Sequence, residues 1–383
     1  MTSGTFEVIK QTFWGNDIIE VGRETYNDLT NHAVVTLPAS IISRIKTTTE
    51  LRQQWNKSIL MQVSFYAKYS YAESHLPITV PYTILKGTSA AQYYPHPEFR
   101  AMGDIDIITR REDFDQAYKD LLNNGYRVCK KLNREVSFAK DGIIVELHHY
   151  FASLNDINKS IYMDELILNN ITPSHVLPDM INGLVLLEHI DQHLENGIGL
   201  RQIIDWMMFV NTCLPDEKWE EFKPHAQSVG LVTLAIVVTR MCEIYLGLPE
   251  RKWCELGDED LCKQLMDYIM ACGNFGNIRA DNISVTENVF YASTSARGLL
   301  SLLQKRGEVN WMGIRSHALF KPFAWLYQAF RYLFKGFRAD SSLSDTLIEY
   351  KAAKQRDKMF KALGVKQASK GLVVYKNGKY IKQ

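Results

Sequence analysis

Residues 80–109 of the chain are VPYTILKGTSAAQYYPHPEFRAMGDIDIIT, and this stretch decides the fold. The β-branched run at 83–85 predicts a short strand that Gly87 ends, and residues 90–93 favour a helix after it. Residues 104–108 then alternate polar and apolar side chains, which is the period of a half-buried strand. We infer that an α+β unit begins here with two strands and a connecting helix.

The residues that follow add a helix and two more strands to this unit. Residues 111–123 carry apolar side chains at helical spacing and end at an Asn-Asn-Gly sequence, which favours a helix terminus. Two strands are predicted near 136–138 and 143–147, and the Asp-Gly pair that begins at Asp141 is typical of a tight turn between them. The pattern predicts an α+β fold with a small mixed sheet and flanking helices.

Most of the remaining chain has the apolar periodicity of helices, so the small sheet is embedded in a mainly helical chain. A short helix and a long helix are predicted within 37–78, and an Asn-Gly pair at 377–378 predicts a C-terminal hairpin. Five further helices are predicted at 179–195, 199–213, 217–229, 231–246 and 259–272. We divide the chain into an N-terminal helical region, an α+β core, a helical domain and a C-terminal aromatic and basic segment, at residues 1–79, 80–155, 156–305 and 306–383.

The composition is that of an ordinary globular protein with balanced charge. Hydrophobic residues make up 46% and charged residues 23% of the 383 residues, and 44 basic residues stand against 43 acidic ones. This balance gives no reason to expect nucleic acid as a partner. The six cysteines form no Cys-x-x-Cys pair, and we find neither a signal-peptide core nor an apolar stretch of about 20 residues. We therefore expect a cytoplasmic protein with reduced thiols and no transmembrane segment.

Asp104, Asp106 and Glu146 carry the strongest chemical signal in the sequence. Alternate residues of a strand project from one face, so the two aspartates share a face and Glu146 on a later strand can converge on them. Three converging carboxylates repel one another unless a cation compensates their charge. Mg²⁺ prefers such oxygen ligands and bridges to phosphates, with Mn²⁺ as the alternative ion. A solvated strand face explains an Asp-x-Asp pair taken alone, so neighbouring residues must decide between the two interpretations.

Lys86, Gly87, Thr88 and Arg100 supply groups that a phosphate chain needs. The Lys-Gly-Thr sequence ends a predicted strand and begins a helix, where backbone N–H groups, a hydroxyl and a small glycine can approach phosphate. Arg100 precedes the carboxylate strand and can bind phosphate through two hydrogen bonds. A phosphate turn beside a carboxylate-bound cation is a coherent site for a nucleoside triphosphate.

The runs LKGTSAAQYYPHPEFRAMGDIDIIT and IIVELHHYF resemble the nucleotidyltransferase superfamily of the polymerase-beta type. More narrowly, they are similar to the bacterial family of uncharacterised nucleotidyltransferases, which has K-G, then a Tyr, then R-x-x-G-D-I-D, and finally E-L-H. The resemblance covers about residues 80–150 and implies the nucleotidyltransferase fold. The residues that it matches are Gly87 and Thr88 at the phosphate turn, Asp104 and Asp106 as the metal pair, and Glu146 as the third carboxylate.

This resemblance implies an enzyme that transfers a nucleoside monophosphate from an NTP to an acceptor that the sequence does not identify. ATP is the expected NTP. Thr88 stands where Ser or Gly is commoner in the superfamily, which keeps a hydroxyl and adds a methyl group. The alternative function is a nucleotide-binding regulatory protein that modulates a partner without turnover. All three carboxylates are present, and this favours the enzyme.

His148, His193, Arg201 and Asp205 are candidates for lining the substrate pocket. His148 shares a strand face with Glu146 and can contact substrate or order the carboxylate, and a buried structural histidine is the alternative. The run HLENGIGLRQIID, which begins at His193, resembles a helical segment of the same family. Arg201 and Asp205 are four residues apart and can pair on the surface of a helix or line a pocket.

His189 and His193 have the spacing of two zinc ligands on one helix face. The metalloprotease pattern requires Glu after the first histidine, but Ile190 occupies that position. No third ligand is evident in the sequence, so zinc is disfavoured against a packing or pocket role.

The C-terminal region combines an aromatic stripe with basic residues. The stripe between 309 and 339 favours a helix packed on its own domain, with peripheral contact to a membrane surface as the alternative. Residues 351–383 contain nine Lys and one Arg against one Asp. We expect this tail to be solvated or folded back, and we do not expect it to bind nucleic acid tightly.

Overall fold

The computed structural model describes residues 3–154, 156–194, 197–274, 304, 322–327, 329–330, 354–365, 373–376 and 379–382. The strands are β1 (Ile19–Glu20), β2 (Ile45–Lys46), β3 (Tyr82–Leu85), β4 (Ile105–Thr109), β5 (Arg127–Lys131), β6 (Glu135–Lys140), β7 (Ile143–His148), β8 (Val373–Lys376) and β9 (Lys379–Lys382). The α-helices are α1 (Ser3–Phe13), α2 (Arg23–Asn31), α3 (Thr49–Ser74), α4 (Gly87–Ala91), α5 (Phe114–Asn123), α6 (Ile157–Asn169), α7 (Asp179–Leu194), α8 (Leu200–Cys213), α9 (Trp219–Val229), α10 (Val232–Leu246) and α11 (Glu259–Cys272). Short 3₁₀ helices are Leu37–Arg44, Pro97–Phe99, Arg111–Asp113, Asp216–Lys218 and Lys252–Cys254.

The chain divides into two units. The first contains residues 1–278, 363–365 and 372–383, and the second contains residues 279–362 and 366–371. All of the elements named above belong to the first unit. In the second unit, the described residues 322–327, 329–330 and 354–362 are helical.

A five-stranded sheet with the order β3-β4-β7-β6-β5 confirms the predicted small mixed sheet. β4 and β7 are parallel, whereas every other neighbouring pair in this sheet is antiparallel. The sequence pattern does not predict β5, because its charged residues are mostly exposed and do not alternate with apolar ones. β5 forms an edge strand through its pairing with β6.

The two faces of the sheet differ in chemistry. Ile105 and Ile107 of β4 and Val145 of β7 share one face and form a core with Tyr69 of α3 and Leu121 of α5. Because side chains of a strand alternate between faces, the residues between these apolar positions face the other side. That second face of β4 and β7 carries the carboxylates.

The turn between β6 and β7 has the predicted chemistry. Asp141 and Gly142 have φ of 51° and 71°, and Lys140 lies opposite Ile143 in the ladder. A two-residue turn with positive φ at both positions matches the twist of an antiparallel hairpin, which is why Asp-Gly favours it.

The predicted helices after residue 178 are confirmed as α7 to α11, each with ends within two residues of the prediction. The long helix within 37–78 is α3, and the short one is the 3₁₀ helix Leu37–Arg44. α7 is buried on nearly all sides and therefore lies in the interior of its unit. The C-terminal hairpin is confirmed by the antiparallel pairing of β8 with β9, although Asn377 and Gly378 lie outside the described residues.

Much of the predicted aromatic and basic segment at 306–383 lies outside the described residues. Its membrane and polyanion contacts, the four-region division and the cytoplasmic location stay predictions. Within the described part of the chain, every helix lacks the combination of length and apolar content that crossing a bilayer requires. All six cysteines carry free thiols.

We expect His32 to make the fold sensitive to acid. His32 is buried at the end of α2, and neither ring nitrogen has a hydrogen-bond partner among the described residues. Burial lowers the pKa of His32 from 6.5 to about 4. Below pH 6.5 His32 binds a proton in the unfolded chain, whereas in the folded chain it binds one only below about pH 4. Acid therefore lowers the free energy of unfolding by up to about 3 kcal/mol.

The variant His32→Leu removes this penalty. Its free energy of unfolding in urea should exceed that of the unmodified protein by a margin that grows from pH 7 to pH 5. A margin that does not change with pH would contradict the prediction.

Candidate functional site

A cavity of about 250 Å³ lies on the polar face of the five-stranded sheet. Residues at β3, β4, β6 and β7 form one side of it, and side chains from α7 and α8 form the other. The predicted site residues that line it are Lys86, Gly87, Arg100, Asp104, Asp106, Glu146, His148, His193 and Arg201. Further lining residues are Met102, Gly103, Arg134, Glu135, His189 and Gln192. Thr88 and Asp205 lie outside the lining.

The three predicted carboxylates come together in this cavity. Asp106 of β4 lies directly opposite Glu146 of the parallel strand β7, and Asp104 precedes β4 by one residue. Ligand atoms of Asp106, Glu146 and His148 all lie within 4.8 Å of one another. The parallel pairing of two strands that are 40 residues apart therefore creates the cluster.

Negative charge is only partly compensated at this cluster. Burial, followed by repulsion from Asp106, raises the pKa of Asp104 to about 6. Burial also raises the pKa of Glu146 to about 7, with further repulsion from Asp106, Glu135 and Asp104. These two carboxylates are thus the ones that an added cation would stabilise most.

Asp106 differs because the chain itself compensates its charge. Lys86 Nζ lies 2.8 Å from Asp106 Oδ1, and His148 Nε2 lies 2.8 Å from the same oxygen. Burial would raise the pKa of Asp106, but Lys86 and His148 outweigh it and hold this pKa well below its usual range. His148 is fully buried, and its Nδ1 lies 3.6 Å from Glu135 Oε2. The structure therefore gives His148 a position from which it orders the Asp106 carboxylate.

The predicted phosphate turn has unusual backbone geometry. Lys86 has φ 56° and ψ −143°, and Gly87 has φ 44°. Positive φ is uncommon for a residue with a Cβ, and such strain persists only where surrounding contacts fix it. The Thr88 hydroxyl donates to Glu73 Oε2 at 2.5 Å, so it is turned toward α3 and away from the cavity. The group of Thr88 that can contact phosphate at this turn is therefore its backbone N–H.

Arg100 and Asp205 form a buried ion pair. Arg100 Nε and Nη2 each lie 2.6 Å from a different oxygen of Asp205, and the Tyr94 hydroxyl donates to Asp205 at 2.7 Å. Arg201 lines the cavity as Arg100 does, and it donates to the Ala101 carbonyl at 3.2 Å. Neither Arg201 nor Asp205 is on an exposed helix surface, since Asp205 is 1% exposed and Arg201 is half-buried.

The two histidines of α7 face the cavity as neutral rings. The ring centroids of His189 and His193 are 4.6 Å apart. Burial, assisted by Lys86 and Arg201, lowers the pKa of His193 to about 3. Burial, assisted by the neighbouring His193, lowers the pKa of His189 well below its usual value. The three-ligand cluster found among the described residues consists of Asp106, Glu146 and His148, and the absence of zinc from the histidine pair stays a prediction.

Sequence reasoning missed the contribution of β6. Glu135 lies opposite His148 and Ser137 lies opposite Glu146, and the Ser137 hydroxyl donates to Glu146 Oε1 at 3.2 Å. Glu135 and Ser137 are two residues apart, so the alternation of a strand predicts that they share one face. The predicted strand began at residue 136, one residue too late to include Glu135. Arg134 adds a cation to the cavity and donates to the Gln192 side chain at 2.8 Å.

The residues present fit a hard divalent cation. Asp104, Asp106 and Glu146 offer carboxylate oxygens, the ligand type that Mg²⁺ and Mn²⁺ prefer. Burial, and after it repulsion between the carboxylates, raises the pKa of Asp104 and of Glu146, so a bound cation would favour their charged forms. Lys86, Arg134 and Arg201 line the same cavity and suit anionic phosphate oxygens. The cavity can therefore hold a cation and a phosphate chain together.

Comparison with known proteins gives one family. The family model described as an uncharacterised nucleotidyltransferase matches residues 43–247, which is more than half of the chain. The matched segment contains every residue that lines the cavity. No curated protein and no solved structure matches the chain.

We expect Asp205 to be essential for stability because it is the buried counter-ion of Arg100. Asp205→Leu leaves the Arg100 guanidinium buried without its carboxylate and should lower the free energy of unfolding by about 3–5 kcal/mol. The double variant Arg100→Met/Asp205→Leu removes both charges and should recover at least half of that loss. Urea unfolding followed by tryptophan fluorescence measures both effects, and equal losses in the single and double variants would contradict the assignment.

Proposed function

The chain belongs to the uncharacterised nucleotidyltransferase family, and we propose that it transfers a nucleoside monophosphate from an NTP to an acceptor hydroxyl in the sheet cavity. One observation carries the proposal: Asp104, Asp106 and Glu146 converge with Lys86 on one cavity. The carboxylates suit a metal ion, and the cationic side chains suit a triphosphate.

Asp104, Asp106 and Glu146 are the residues that would hold Mg²⁺, with Mn²⁺ as the alternative ion. When bound, the cation supplies positive charge to the phosphate oxygens and helps to orient them. Family membership and the fit of the carboxylates support this assignment.

In the proposed reaction, the acceptor oxygen attacks the α-phosphorus of the NTP. A bond forms between that oxygen and the α-phosphorus, the bond from the α-phosphorus to its bridging oxygen breaks, and pyrophosphate leaves with the bonding electron pair. Glu146 is the proposed acceptor of the hydroxyl proton. Burial raises the pKa of Glu146 to about 7 in the metal-free chain, and a bound cation would lower it and favour the carboxylate, which is the form that accepts a proton.

The triphosphate is proposed to lie along Lys86, Gly87 and Arg201. The first turn of α4 presents backbone N–H groups that lack intrahelical acceptors, including that of Thr88. Arg100 borders the same space, but its charge is balanced by Asp205, so we assign it to holding the site rather than to the main phosphate contact. ATP is the proposed NTP.

The acceptor is proposed to enter from the side lined by α7. His189, Gln192 and His193 provide neutral polar groups there, and Arg134 provides a cation. Such a lining suits the hydroxyls of a small polar molecule. Nucleic acid is disfavoured as the acceptor because basic and acidic residues balance over the chain.

We expect substitutions of Asp104 and of Asp106 both to abolish activity but to have different effects on stability. Asp104→Asn removes a charge that Asp106 repels, so Mg²⁺-dependent NTP turnover should be lost while the melting temperature without metal stays equal or rises slightly. Asp106→Asn deprives Lys86 and His148 of their partner and should cost about 3 kcal/mol as well as activity. Turnover and differential scanning calorimetry measure the two properties, and full turnover in Asp104→Asn would contradict the site.

We expect Gly87 to be required for NTP binding. A valine at this position strains a backbone with φ 44° and places a side chain where the triphosphate is proposed to lie. Gly125→Val is the matched control, since Gly125 also has positive φ (84°) but does not line the cavity. Calorimetric titration should show NTP affinity at least tenfold weaker in Gly87→Val than in Gly125→Val. Equal affinities would place the phosphates elsewhere.

The reaction itself is tested by incubating the full chain with each labelled NTP, Mg²⁺ and a metabolite extract. Mass spectrometry should detect a nucleotidylated small molecule and pyrophosphate, both absent with Asp104→Asn. NTP binding without any product, under all of these conditions, would favour a nucleotide-binding regulatory protein instead.

A further inference from the structure

Arg134 and the phosphate turn lie at opposite ends of the polar sheet face. The Arg134 carbonyl accepts a hydrogen bond from His149 N at 2.8 Å, so Arg134 lies beside the residue that follows β7. Lys86 follows β3, which is antiparallel to β4, whereas β7 is parallel to β4, so the backbone of Lys86 is near the start of β4 and β7. Strand residues are about 3.3 Å apart, so the three residues from Glu146 to His149 span about 10 Å. An anion at Arg134 is therefore well separated from a triphosphate at the turn.

The Arg134 guanidinium has hydrogen-bond donors that the chain does not use. Nη2 contacts the Phe151 carbonyl and donates to the Gln192 side chain at 2.8 Å. Nε is buried and has no acceptor among the described residues. Nη1 has no acceptor there either, but it is not buried, and Arg134 lines the cavity. Nη1 is thus the part of the guanidinium that a ligand in the cavity can reach.

In the described part of the chain, no carboxylate forms an ion pair with Arg134. Glu135 is the next residue and also lines the cavity, but its Oε2 lies 3.6 Å from His148 Nδ1. Burial raises the pKa of Glu188, and nearby Arg134 partly offsets this effect. Glu188 Oε1 accepts a hydrogen bond from Ser153 N at 2.7 Å, however, and lies beyond ion-pair distance of the guanidinium. The direct partners of Arg134 are therefore neutral, and a negatively charged oxygen would be a stronger acceptor.

The other cations of the cavity already have roles. Lys86 and Arg201 are assigned to the triphosphate, and Arg100 is paired with Asp205. The two histidines of α7 are neutral at physiological pH, because burial lowers their pKa. Arg134 is thus the cavity cation, among the described residues, that neither an ion pair nor the proposed triphosphate contact uses.

We propose that Arg134 binds an oxyanion of the acceptor, so that the acceptor is a small hydroxy compound that also carries a carboxylate or a phosphate group. This inference rests on the proposed function, because it concerns the acceptor of the same reaction. The acceptor hydroxyl lies at Glu146 and its oxyanion at Arg134, so the two groups are separated by no more than about 10 Å. Arg134 is then a residue that determines acceptor specificity.

The first test concerns the acceptor. The full chain is incubated with labelled NTP, Mg²⁺ and a metabolite extract, and mass spectrometry identifies the nucleotidylated product, whose acceptor part should carry a carboxylate or a phosphate group. One portion of the extract is first treated with immobilised phosphatase, and another with methylamine and a carbodiimide, which neutralises carboxylates. At least one treatment should abolish product formation, and this shows which oxyanion is required. Undiminished product after each treatment, or an acceptor without either group, would overturn the inference.

The second test changes Arg134. Arg134→Met should raise the extract concentration that gives half-maximal turnover by about tenfold or more, the loss expected for one hydrogen bond between charged groups. The NTP concentration for half-maximal turnover should stay the same. Arg134→Lys keeps the charge and should recover part of the loss, and Arg134→Gln serves in place of Arg134→Met if circular dichroism shows that the latter does not fold. A rise for the NTP instead of the extract would assign Arg134 to the triphosphate and overturn the inference.

Arg44→Met is the matched control. Like Arg134, Arg44 is half-buried and donates to a backbone carbonyl, that of Gly15, and to an amide side chain, that of Asn16, but it does not line the cavity. This variant should use the extract as the unmodified protein does. An equal loss in Arg44→Met and Arg134→Met would overturn the inference, since loss of any such arginine would then suffice.

The outcomes separate this inference from the proposed function. If the unmodified protein forms a product and both Arg134→Met and Arg134→Gln use the extract equally well, the role of Arg134 falls and nucleotidyl transfer stands. If the unmodified protein forms no product from any NTP, both fall.

Discussion

The site depends on the burial of one carboxylate, Asp106, on β4 between β3 and β7 of the five-stranded sheet. A buried carboxylate is costly unless charge and hydrogen bonds compensate it. The strand on one side, β3, delivers Lys86 through a strained turn, and the strand on the other side, β7, delivers His148. The order β3-β4-β7 thus allows Asp106 to stay ionised inside the protein, and it places Glu146 next to it at the same time.

A second buried charge pair connects the sheet to the helices. Arg100 lies a few residues before the carboxylate strand, and its guanidinium binds Asp205 of α8 through two hydrogen bonds. Arg201, one turn earlier on α8, donates to the Ala101 carbonyl. α8 therefore does more than form a wall of the cavity, because it holds the segment that leads into Asp104. The family match extends over both the sheet and α8, as expected if they form one functional body.

Hydrogen bonds from α6 and α7 hold the segment that follows β7. Asp164 of α6 accepts hydrogen bonds from the backbone N–H groups of Phe151 and Ala152, and Glu188 of α7 accepts one from Ser153 at 2.7 Å. These contacts fix the segment directly after His148. A carboxylate cluster held in this way cannot relax its repulsion by moving apart, so a bound cation, or a proton on Asp104 or Glu146, relieves it.

The sequence by itself determined the elements and the face on which the carboxylates lie. Strand alternation, helical spacing and turn glycines are local properties, and they placed α7 to α11, the strands β3, β4, β6 and β7, and the Asp104, Asp106 and Glu146 set without knowledge of the fold. Only the tertiary structure decided the partners. Lys86 binds Asp106 because β4 lies between β3 and β7, and Arg100 binds Asp205 because α8 packs beside a segment 105 residues earlier in the chain. Local periodicity fixes which face a side chain takes, but it does not encode which distant element covers that face.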